Sequence, residues 1–406
     1  TTGFTADSTE NWNISGTTTV NLGLSTDTAG KNFTVNGNVT IANDLNIYGS
    51  NLTIGGTQTV TAAGKHFMAQ APGTVRTDVG ASIRTYGGLI SLWADSDASG
   101  SGSVLVKSSA TTTGTLCTAP SAGACDGTTT TGGADIVIGG GAAETNTALT
   151  DYAYRPGGYA VGTAASNETG IIGATAGTAG NYTGGVYLGT INASTGTTKL
   201  YSAGGNIVVR GKSYPGANTD WTAAITTPGG LTVNSGAGTI FFDGWEASTG
   251  AAAANGCQEF NAWGGTSSYT STNSSNTSMT FSCKGTSSQY GIWGVNSGYS
   301  FNNTNGGVYF VSEKFGDTFK NTFNVAGQVV FEPMSSTWAT TPNFGTGWSF
   351  TSAPSLLRIG KDAAIGTTNI NAAISVSAPI QVYGTDITIN ANLTSTLSGA
   401  KVLLKA

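Results

Sequence analysis

Short packets of alternating apolar and polar residues recur along the first part of the chain. Each packet has the form apolar–polar–apolar, and the packets begin six or seven residues apart. They are Phe33/Val35, Val39/Ile41, Leu45/Ile47 and Leu52/Ile54. This two-residue alternation predicts strands that turn one face toward a core. The gaps hold Asn, Gly, Asp or Ser and leave no room for hairpin reversals, so the pattern predicts a parallel β-helix.

The same pattern returns near the end of the chain. Segment 39–54, VTIANDLNIYGSNLTI, aligns without a gap with segment 374–389, ISVSAPIQVYGTDITI, and both contain a central Tyr-Gly. Related segments lie at 83–93 and 200–209. Similar coils at both ends and in the middle predict one solenoid along the whole chain. At about 20 residues per coil and a rise of ~4.8 Å, the rod would measure on the order of 70–100 Å.

Two regions interrupt this regularity and define the predicted organisation. Residues 1–244 and 351–406 are assigned to one β-solenoid. Residues near 109–150 are rich in Thr and Gly and are predicted to form a loop or flap. Residues 245–350 carry many aromatic side chains, so we predict a bulky elaboration that packs on one flank of the coil.

Composition supports an all-β fold and limits the partners. Only 9% of residues are charged, against about 25% in typical domains, and long helix-forming side chains are scarce. Hydrophobic residues reach 38%, which argues against disorder. The net charge is −5 and Lys/Arg clusters are lacking, so a nucleic-acid partner is not expected. No window approaches the ~20 apolar residues of a membrane span.

The four cysteines form two local pairs, Cys117 with Cys125 and Cys257 with Cys283. Short separations and an even count predict two disulfides and an oxidising compartment. The alternative is one zinc site made by all four thiolates, but neither pair has the CxxC spacing that is typical of such sites.

A catalytic site is not predicted. Polysaccharide-degrading β-helices are the main enzymatic alternative, and they need paired carboxylates or a carboxylate-bound cation. The acidic residues are scattered, and Asp243/Glu246 is the nearest pair beside aromatic residues. His66 is the only histidine and has no partner motif, so a structural role is expected. No cofactor is expected.

Two weaker binding candidates remain. Asp95, Asp97 and Ser99, followed by Gly100, reproduce the first half of a calcium-binding loop, although Val106 stands where the closing Glu would be. The alternative is a solvent-facing turn. Trp245, Trp263 and Trp293 could bind carbohydrate in the aromatic region.

Several segments resemble a recurring module of filamentous-haemagglutinin-like bacterial exoproteins. They are Gly87–Gly102, with Leu89-Ile90-Ser91-Leu92-Trp93 at its centre, Ser355–Lys361, Ala378–Gly384 and Ile387–Ser395. The resemblance covers residues 33–107, 195–245 and 351–406. It implies a right-handed parallel β-helix, export through an outer-membrane partner, and a role in adhesion or matrix building. The family's amino-terminal secretion domain is not evident, and region 245–350 does not match.

The two ends of the predicted solenoid suggest assembly. The chain starts at Thr1 without a charged and apolar leader, so we expect a mature or excised piece. Strand patterns run to both ends without an obvious cap, and the end coils are alike. We therefore expect an extracellular protein of a bacterial surface filament or adhesin that contacts copies of itself head to tail, and surface carbohydrate as a further partner. The residues assigned to assembly are Thr17, Val20, Leu22, Val39, Leu393, Val402 and Leu404.

Overall fold

A computed structural model gives the structure of most of the chain. It describes residues 5–6, 11–14, 19–23, 32–149, 151–163, 171–172, 179–180, 184–190, 196–216, 223–248, 257–260, 266–285, 291–294, 298–316, 320–338, 342–362 and 366–406. These residues form 42 short strands and two 3₁₀ turns, at Ala122–Ala124 and Tyr152–Tyr154. The all-β prediction is confirmed.

The strands of the first half are numbered in chain order. They are β1 (Thr5–Ala6), β2 (Asn11–Ile14), β3 (Val20–Leu22), β4 (Phe33–Val35), β5 (Asn38–Ile41), β6 (Leu45–Tyr48), β7 (Leu52–Ile54), β8 (Thr57–Val60), β9 (Phe67–Gln70), β10 (Val75–Thr77), β11 (Ser82–Thr85), β12 (Ile90–Ala94), β13 (Val104–Ser108), β14 (Gly114–Cys117), β15 (Ile136–Ala143), β16 (Pro156–Gly158), β17 (Ala160–Val161), β18 (Ile171–Ile172), β19 (Ala179–Gly180), β20 (Val186–Thr190) and β21 (Thr197–Tyr201).

The second half continues the numbering with strands of similar length. They are β22 (Ile207–Lys212), β23 (Ile225–Thr227), β24 (Gly230–Gly236), β25 (Ile240–Trp245), β26 (Gln258–Phe260), β27 (Ser267–Ser271), β28 (Met279–Lys284), β29 (Ile292–Gly294), β30 (Tyr299–Asn303), β31 (Val308–Ser312), β32 (Asn321–Val325), β33 (Gln328–Glu332), β34 (Asn343–Phe344), β35 (Ser349–Phe350), β36 (Leu356–Ile359), β37 (Thr367–Ile370), β38 (Ile374–Val376), β39 (Ile380–Tyr383), β40 (Asp386–Ile389), β41 (Leu393–Ser395) and β42 (Val402–Lys405).

The chain winds through three long parallel sheets, and most coils contribute one strand to each sheet. Sheet A has the order β1-β4-β7-β10-β13-β20-β23-β26-β29, and sheet B the order β2-β5-β8-β11-β14-β21-β24-β27-β30-β32-β35. Sheet C has the order β3-β6-β9-β12-β15-β22-β25-β28-β31-β33-β36-β39-β42. In the last coils, β34-β37-β40 and β38-β41 take the places of sheets A and B in the sequence of strands. This connectivity is that of a parallel β-solenoid.

Sheet C sets the length of the rod. Its 13 successive strands, spaced ~4.8 Å apart, span about 58 Å. The length expected from the sequence was greater because it assumed about 20 residues in every coil. The shorter coils do approach that number, as Ile380 and Val402 are 22 residues apart in one column. Other coils contain long excursions that add residues without adding length.

The predicted inward positions are confirmed in the early coils. Val39, Ile41, Leu45, Ile47, Leu52 and Ile54 are all buried in one continuous core. The aligned segments also occupy equivalent places, since Leu45/Ile47 and Ile380/Val382 lie in sheet C. Glycine permits the tight stacking of neighbouring corners. At Gly360, where φ is +80°, a Cβ atom would lie 2.5 Å from the carbonyl oxygen of Tyr383 in the next coil.

The aromatic region is part of the coil itself, which corrects the prediction of an elaboration on one flank. Strands β26 to β33 continue sheets A, B and C without a break in pairing. Phe242, Phe281, Phe310 and Phe331 follow one another at one inward position of sheet C. Tyr269, Phe301, Phe323 and Phe350 form a second column in sheet B, and the two columns meet edge to face. The aromatic side chains therefore fill the core instead of covering it.

The region 109–150 is also more regular than expected. β14 lies in sheet B and β15 lies in sheet C, so this region contributes two strands to a coil. What remains are two excursions, residues 118–135 and a second segment that we call the flap, residues 142–158. The flap leaves sheet C at the end of β15 and returns through β16, which pairs with β15 in antiparallel fashion. β17 then rejoins the sheet beside β22.

Candidate functional site

The last coil presents inward positions that no further strand covers in this structure. β40, β41 and β42 each pair on one side only, with β37, β38 and β39. Val382 is fully buried, whereas Leu404, the next member of its column, is 50% exposed. Val402 is 44% exposed, although its column neighbour Ile380 is fully buried. The core of the solenoid therefore reaches the surface at this end, which we call the end face.

The end face contains a shallow depression of about 430 Å³. Its lining is mostly aliphatic and consists of Ile389, Asn390, Ala391, Asn392, Leu393, Val402 and Leu404. An asparagine ladder runs along the corner toward it. The Asn390 side-chain amide donates to Asn371 Oδ1 at 2.7 Å, and Asn371 in turn donates to Asn343. This ladder and the strands themselves repeat the pairing pattern of the coils beneath.

The first coil has matching chemistry in the same columns of sheet C. Val20 pairs with Leu45 and Leu22 pairs with Ile47, and these two columns continue through the sheet to Val402 and Leu404. Val20 and Leu22 are partly buried against the core. Both columns thus begin and end with the same residue type, valine in one and leucine in the other.

The other predicted assembly residues have mixed positions. Leu393 is partly buried and lines the end face, as expected. Val39 lies one coil inside the first strands and is 1% exposed, so it belongs to the core and is not available for a contact. The alternation of apolar and polar residues correctly predicts that Val39 points inward, but strand β2 covers it. Thr17 lies outside the described residues.

Both predicted disulfides are present. Cys117 is bonded to Cys125, and this bridge packs against Tyr201 and Ala203 beside the 118–135 excursion. Cys257 is bonded to Cys283, and both belong to the main core, where they link residues of a single coil. The four cysteines therefore do not form one zinc site. Disulfides of this kind point to an oxidising, non-cytoplasmic location.

The candidate calcium residues form a turn in which the Asp95 carboxylate accepts hydrogen bonds from the backbone. Asp95 Oδ1 accepts hydrogen bonds from the N–H groups of Gly100 at 2.8 Å and Ser101 at 3.1 Å, and from the Ser99 hydroxyl at 3.2 Å. Asp97 Oδ1 accepts from the Ser99 N–H. Burial raises the pKa of Asp95, although these hydrogen bonds oppose the shift. Within the described part of the chain, no group of three or more His, Cys, Asp or Glu residues could hold a metal.

Of the three candidate tryptophans, Trp245 is the one whose side chain the structure describes. Both sides of the Trp245 ring are approached by cations, with Lys212 Nζ 3.9 Å and Lys284 Nζ 4.4 Å from its centroid. Tyr159 meets the same ring edge to face. A sugar could not stack on Trp245 without displacing a lysine. Trp293 belongs to β29, and its side chain lies outside the described residues, as does the whole of Trp263.

Asp243 and Glu246 have separate environments. Asp243 lies at an outward position of β25 and accepts a hydrogen bond from the Tyr159 hydroxyl at 2.6 Å. Burial, together with this carboxylate, raises the pKa of Tyr159. Glu246 follows the end of β25 and is 5% exposed. The carboxylate of Asp243 thus has a structural partner in Tyr159, which anchors the segment after the flap to sheet C.

The flap covers the outward side of sheet C. The sequence predicts a loop or flap near residues 109–150 but does not predict its contacts with the sheet. The Tyr154 ring lies 4.0 Å from the His66 ring, and Trp93 Nε1 donates to the Gly141 carbonyl at 2.7 Å. His66 Nδ1 is 3.1 Å from Asp44 Oδ1, and its Nε2 is 2.8 Å from Asn46 Oδ1. Asn46, at an outward position, is only 4% exposed, and its side chain contacts both His66 and Asn21.

An ion-pair cluster fixes the far end of the flap. Arg155 is bidentate to Asp151, at 2.6 and 2.8 Å, and its Nη1 is 2.5 Å from Asp135 Oδ2. Asp135 Oδ1 also accepts the Asn206 N–H at 2.6 Å, so the cluster is tied to the turn before β22. Such a charge-assisted, largely buried arrangement holds the flap firmly against the sheet.

No helix among the described residues has the length and apolar character needed to cross a membrane. Comparison of the chain with protein-family models, with curated proteins and with solved structures gives no match.

Proposed function

We propose that this chain is a structural and adhesive extracellular protein, a β-solenoid subunit or repeat segment of a bacterial surface filament or adhesin. In this proposal its coils continue head to tail into those of another copy. The protein is not expected to be an enzyme. The resemblance to filamentous-haemagglutinin-like exoproteins and the two disulfides support an extracellular, surface-associated location.

The observation that carries the proposal is the match between the two ends of sheet C. A second copy placed on the end face would set Val20 on Val402 and Leu22 on Leu404, which continues both columns with like residues. Burying these aliphatic side chains contributes roughly 25 cal/mol per Å² of apolar surface removed from water. The partner strands β3 and β42 would also pair their free backbone groups.

Such a contact joins different surfaces of the two copies. Because it is heterologous, it propagates along the solenoid axis and produces a filament unless the rotation happens to close a ring. The same contact serves a covalent array of repeats and a stack of separate subunits.

The test compares two neighbouring leucines of β42. Leu404 is inward and would be covered by the next copy, whereas Leu403 is outward and stays at the surface. We expect Leu404→Asp to weaken association of the purified chain by roughly 100-fold or more, because it buries an unpaired carboxylate. Analytical ultracentrifugation over a concentration series and electron microscopy would measure the effect.

Leu403→Asp is the matched control, with the same change in charge and a similar starting exposure. It should assemble within a few-fold of the parent chain, and the unfolding temperatures of both variants should stay close to that of the parent. Equal loss of assembly in both variants, or a parent chain that stays monomeric at high concentration, would overturn the proposed contact.

A further inference from the structure

A groove lies on the outward side of sheet C. It begins where the flap ends and no longer covers the sheet. It has a volume of about 290 Å³. Its floor is formed by Val208 and Phe241, which are paired in register on β22 and β25. Leu149 and Pro156 of the flap form one wall. The groove is far from the end face in the order of strands, so it is independent of the proposed assembly.

Polar side chains at the rim leave a small set of hydrogen-bonding groups open. Asn206 Oδ1 accepts from the Thr239 N–H and hydroxyl, which leaves the side-chain N–H groups of Asn206 without a partner among the described residues. Among the described residues, the Arg210 guanidinium makes one long hydrogen bond, 3.4 Å, to the Pro156 carbonyl. Glu144 uses Oε1 to accept the N–H groups of Thr145 and Asn146, and its Oε2 faces no donor in the described structure.

The charge around the groove disfavours an anionic ligand. Arg155 is neutralised by Asp135 and Asp151, and Arg210 stands beside Asp243 in the register of β22 and β25. Glu144 adds a further carboxylate, so the side chains around the groove carry more negative than positive charge. The groove is also on the face of a sheet and not at its edge, so it offers no backbone ladder to an extended peptide.

We propose that this groove binds a neutral hexose unit of a polysaccharide. A pyranose ring has an apolar face that can lie on Phe241, and hydroxyl groups that both donate and accept hydrogen bonds. The side-chain N–H groups of Asn206 and Arg210 meet hydroxyl oxygens, and Glu144 accepts a hydroxyl proton. An aromatic or apolar floor with a few directed polar groups is the common form of a small-ligand site.

The outward column extends the floor beyond the groove. Phe241 is followed by Thr280 and then by Tyr309 on successive strands, so the two rings lie about 10 Å apart along the axis. The Tyr309 hydroxyl is held by Arg358 at 3.2 Å. A chain of sugars that runs parallel to the solenoid axis can therefore contact both rings.

The experiment measures binding of neutral hexose oligosaccharides, such as gluco- and manno-oligosaccharides, with uronic-acid oligosaccharides as the charged comparison. Isothermal titration calorimetry and a glycan array give the readout. We expect binding of at least one neutral series, and weaker or no binding of the acidic series. Phe241→Ala should weaken binding by about tenfold or more, because the stacking surface is lost. Trp245→Ala should bind like the parent chain.

Phe241→Leu provides a second variant that keeps apolar volume and removes only the ring, in case Phe241→Ala lowers stability. It should also lose affinity while its thermal unfolding matches that of the parent. Absence of binding to every neutral oligosaccharide, preference for the acidic series, or affinity that is the same in Phe241→Leu and the parent would overturn the proposal.

Discussion

Ile47 illustrates how strictly one inward position is specified. Its side chain is fully buried between Leu22 and Ala69 of the neighbouring coils. Ile47→Asp would place an unpaired carboxylate in an apolar column, and we expect it to lower the free energy of unfolding by about 4 kcal/mol or more. Chemical denaturation followed by circular dichroism would measure this loss.

An outward residue in the next strand serves as the control. Thr53 alternates with the buried Leu52 and Ile54 and is only partly buried. Thr53→Asp should change the free energy of unfolding by less than about 1 kcal/mol. A loss at Thr53 as large as that at Ile47 would contradict the assignment of inward and outward faces.

His66 gives the flap a dependence on pH. Burial lowers the pKa of His66, although the carboxylates of Asp44 and Asp151 act in the opposite direction and Lys65 adds to the lowering. In the unfolded or released state the pKa is about 6.5. That state therefore binds more protons as the pH falls below this value, and the flap contact loses stability. The contact is at full strength above about pH 6.5.

Hydrogen exchange at the Tyr154 amide would detect this change, since that N–H donates to the Asp151 carbonyl at 3.0 Å. We expect its protection, corrected for intrinsic exchange, to decrease between about pH 7 and pH 5. In His66→Gln the decrease should be absent or much smaller. Protection that stays constant in the parent chain, or falls equally in the variant, would exclude His66 as the cause.

The aromatic columns are the elements that determine stability in the second half of the chain. Phe310 stacks on Phe281 at 5.3 Å and on Phe331 at 4.7 Å, and it meets Phe301 edge to face. Phe310→Ala leaves a cavity between rigid neighbours, and we expect it to cost about 3–5 kcal/mol. Near-ultraviolet circular dichroism and denaturant titration would follow the loss.

The adjacent outward residue provides the comparison. Tyr309→Phe keeps the ring and removes the hydroxyl, which is hydrogen-bonded to Arg358 and Glu332, so it should cost about 1–2 kcal/mol. If Phe310→Ala proved as mild as Tyr309→Phe, the columns would not be the close-packed core described here.

Alternation allowed the coils at both ends to be predicted, but composition hid the same pattern in the middle. Tyr299–Asn303, Val308–Ser312 and Asn321–Val325 alternate between buried and partly buried residues, just as the early strands do. The central inward residue of each of these strands is phenylalanine, whereas the early coils have valine, leucine and isoleucine at their inward positions. The large number of aromatic residues suggests an elaboration on one flank, whereas their two-residue spacing is that of inward positions in the coil. The prediction of a flanking elaboration followed the number and was wrong.

The functional surfaces differ in how far the sequence can predict them. Val402 and Leu404 follow from the two-residue period, and so their inward direction was predictable. A loop or flap near residues 109–150 was predicted from composition, but its contacts with the sheet were not. They join residues without any periodic relation, such as Tyr154 with His66 and Arg155 with Asp135. Nor could spacing predict the groove, whose floor and wall come from separate coils and an excursion.

At the scale of the whole molecule, each coil contacts chiefly the coils before and after it. This is shown by the strands of sheet C from β6 to β39 along its main path, each of which pairs with the strand before it and the strand after it along the axis. Stability in such an array is close to a sum of coil terms and nearest-neighbour terms. Local changes in excursions such as the flap therefore leave distant coils intact.

The direction of the hydrogen bonds has a mechanical consequence. They run along the rod axis, so a pull on its two ends loads the ladders of all coil boundaries in series, and the weakest boundary yields first. A released coil of 22 residues, such as that from Ile380 to Val402, lengthens by about 70 Å, far more than the ~4.8 Å it occupied. A tether built from such coils would yield in steps under flow while its remaining coils stay folded.

Single-molecule force spectroscopy should show this as a sawtooth with increments of about 70 Å for coils of 22 residues, such as that from Ile380 to Val402. The Cys257–Cys283 bridge closes most of one coil, so that coil can release only the residues outside the bridge. Reduction of the bridge should lengthen one step and leave the others unchanged. A single extension of the whole rod at one force would show that the coils do not yield independently.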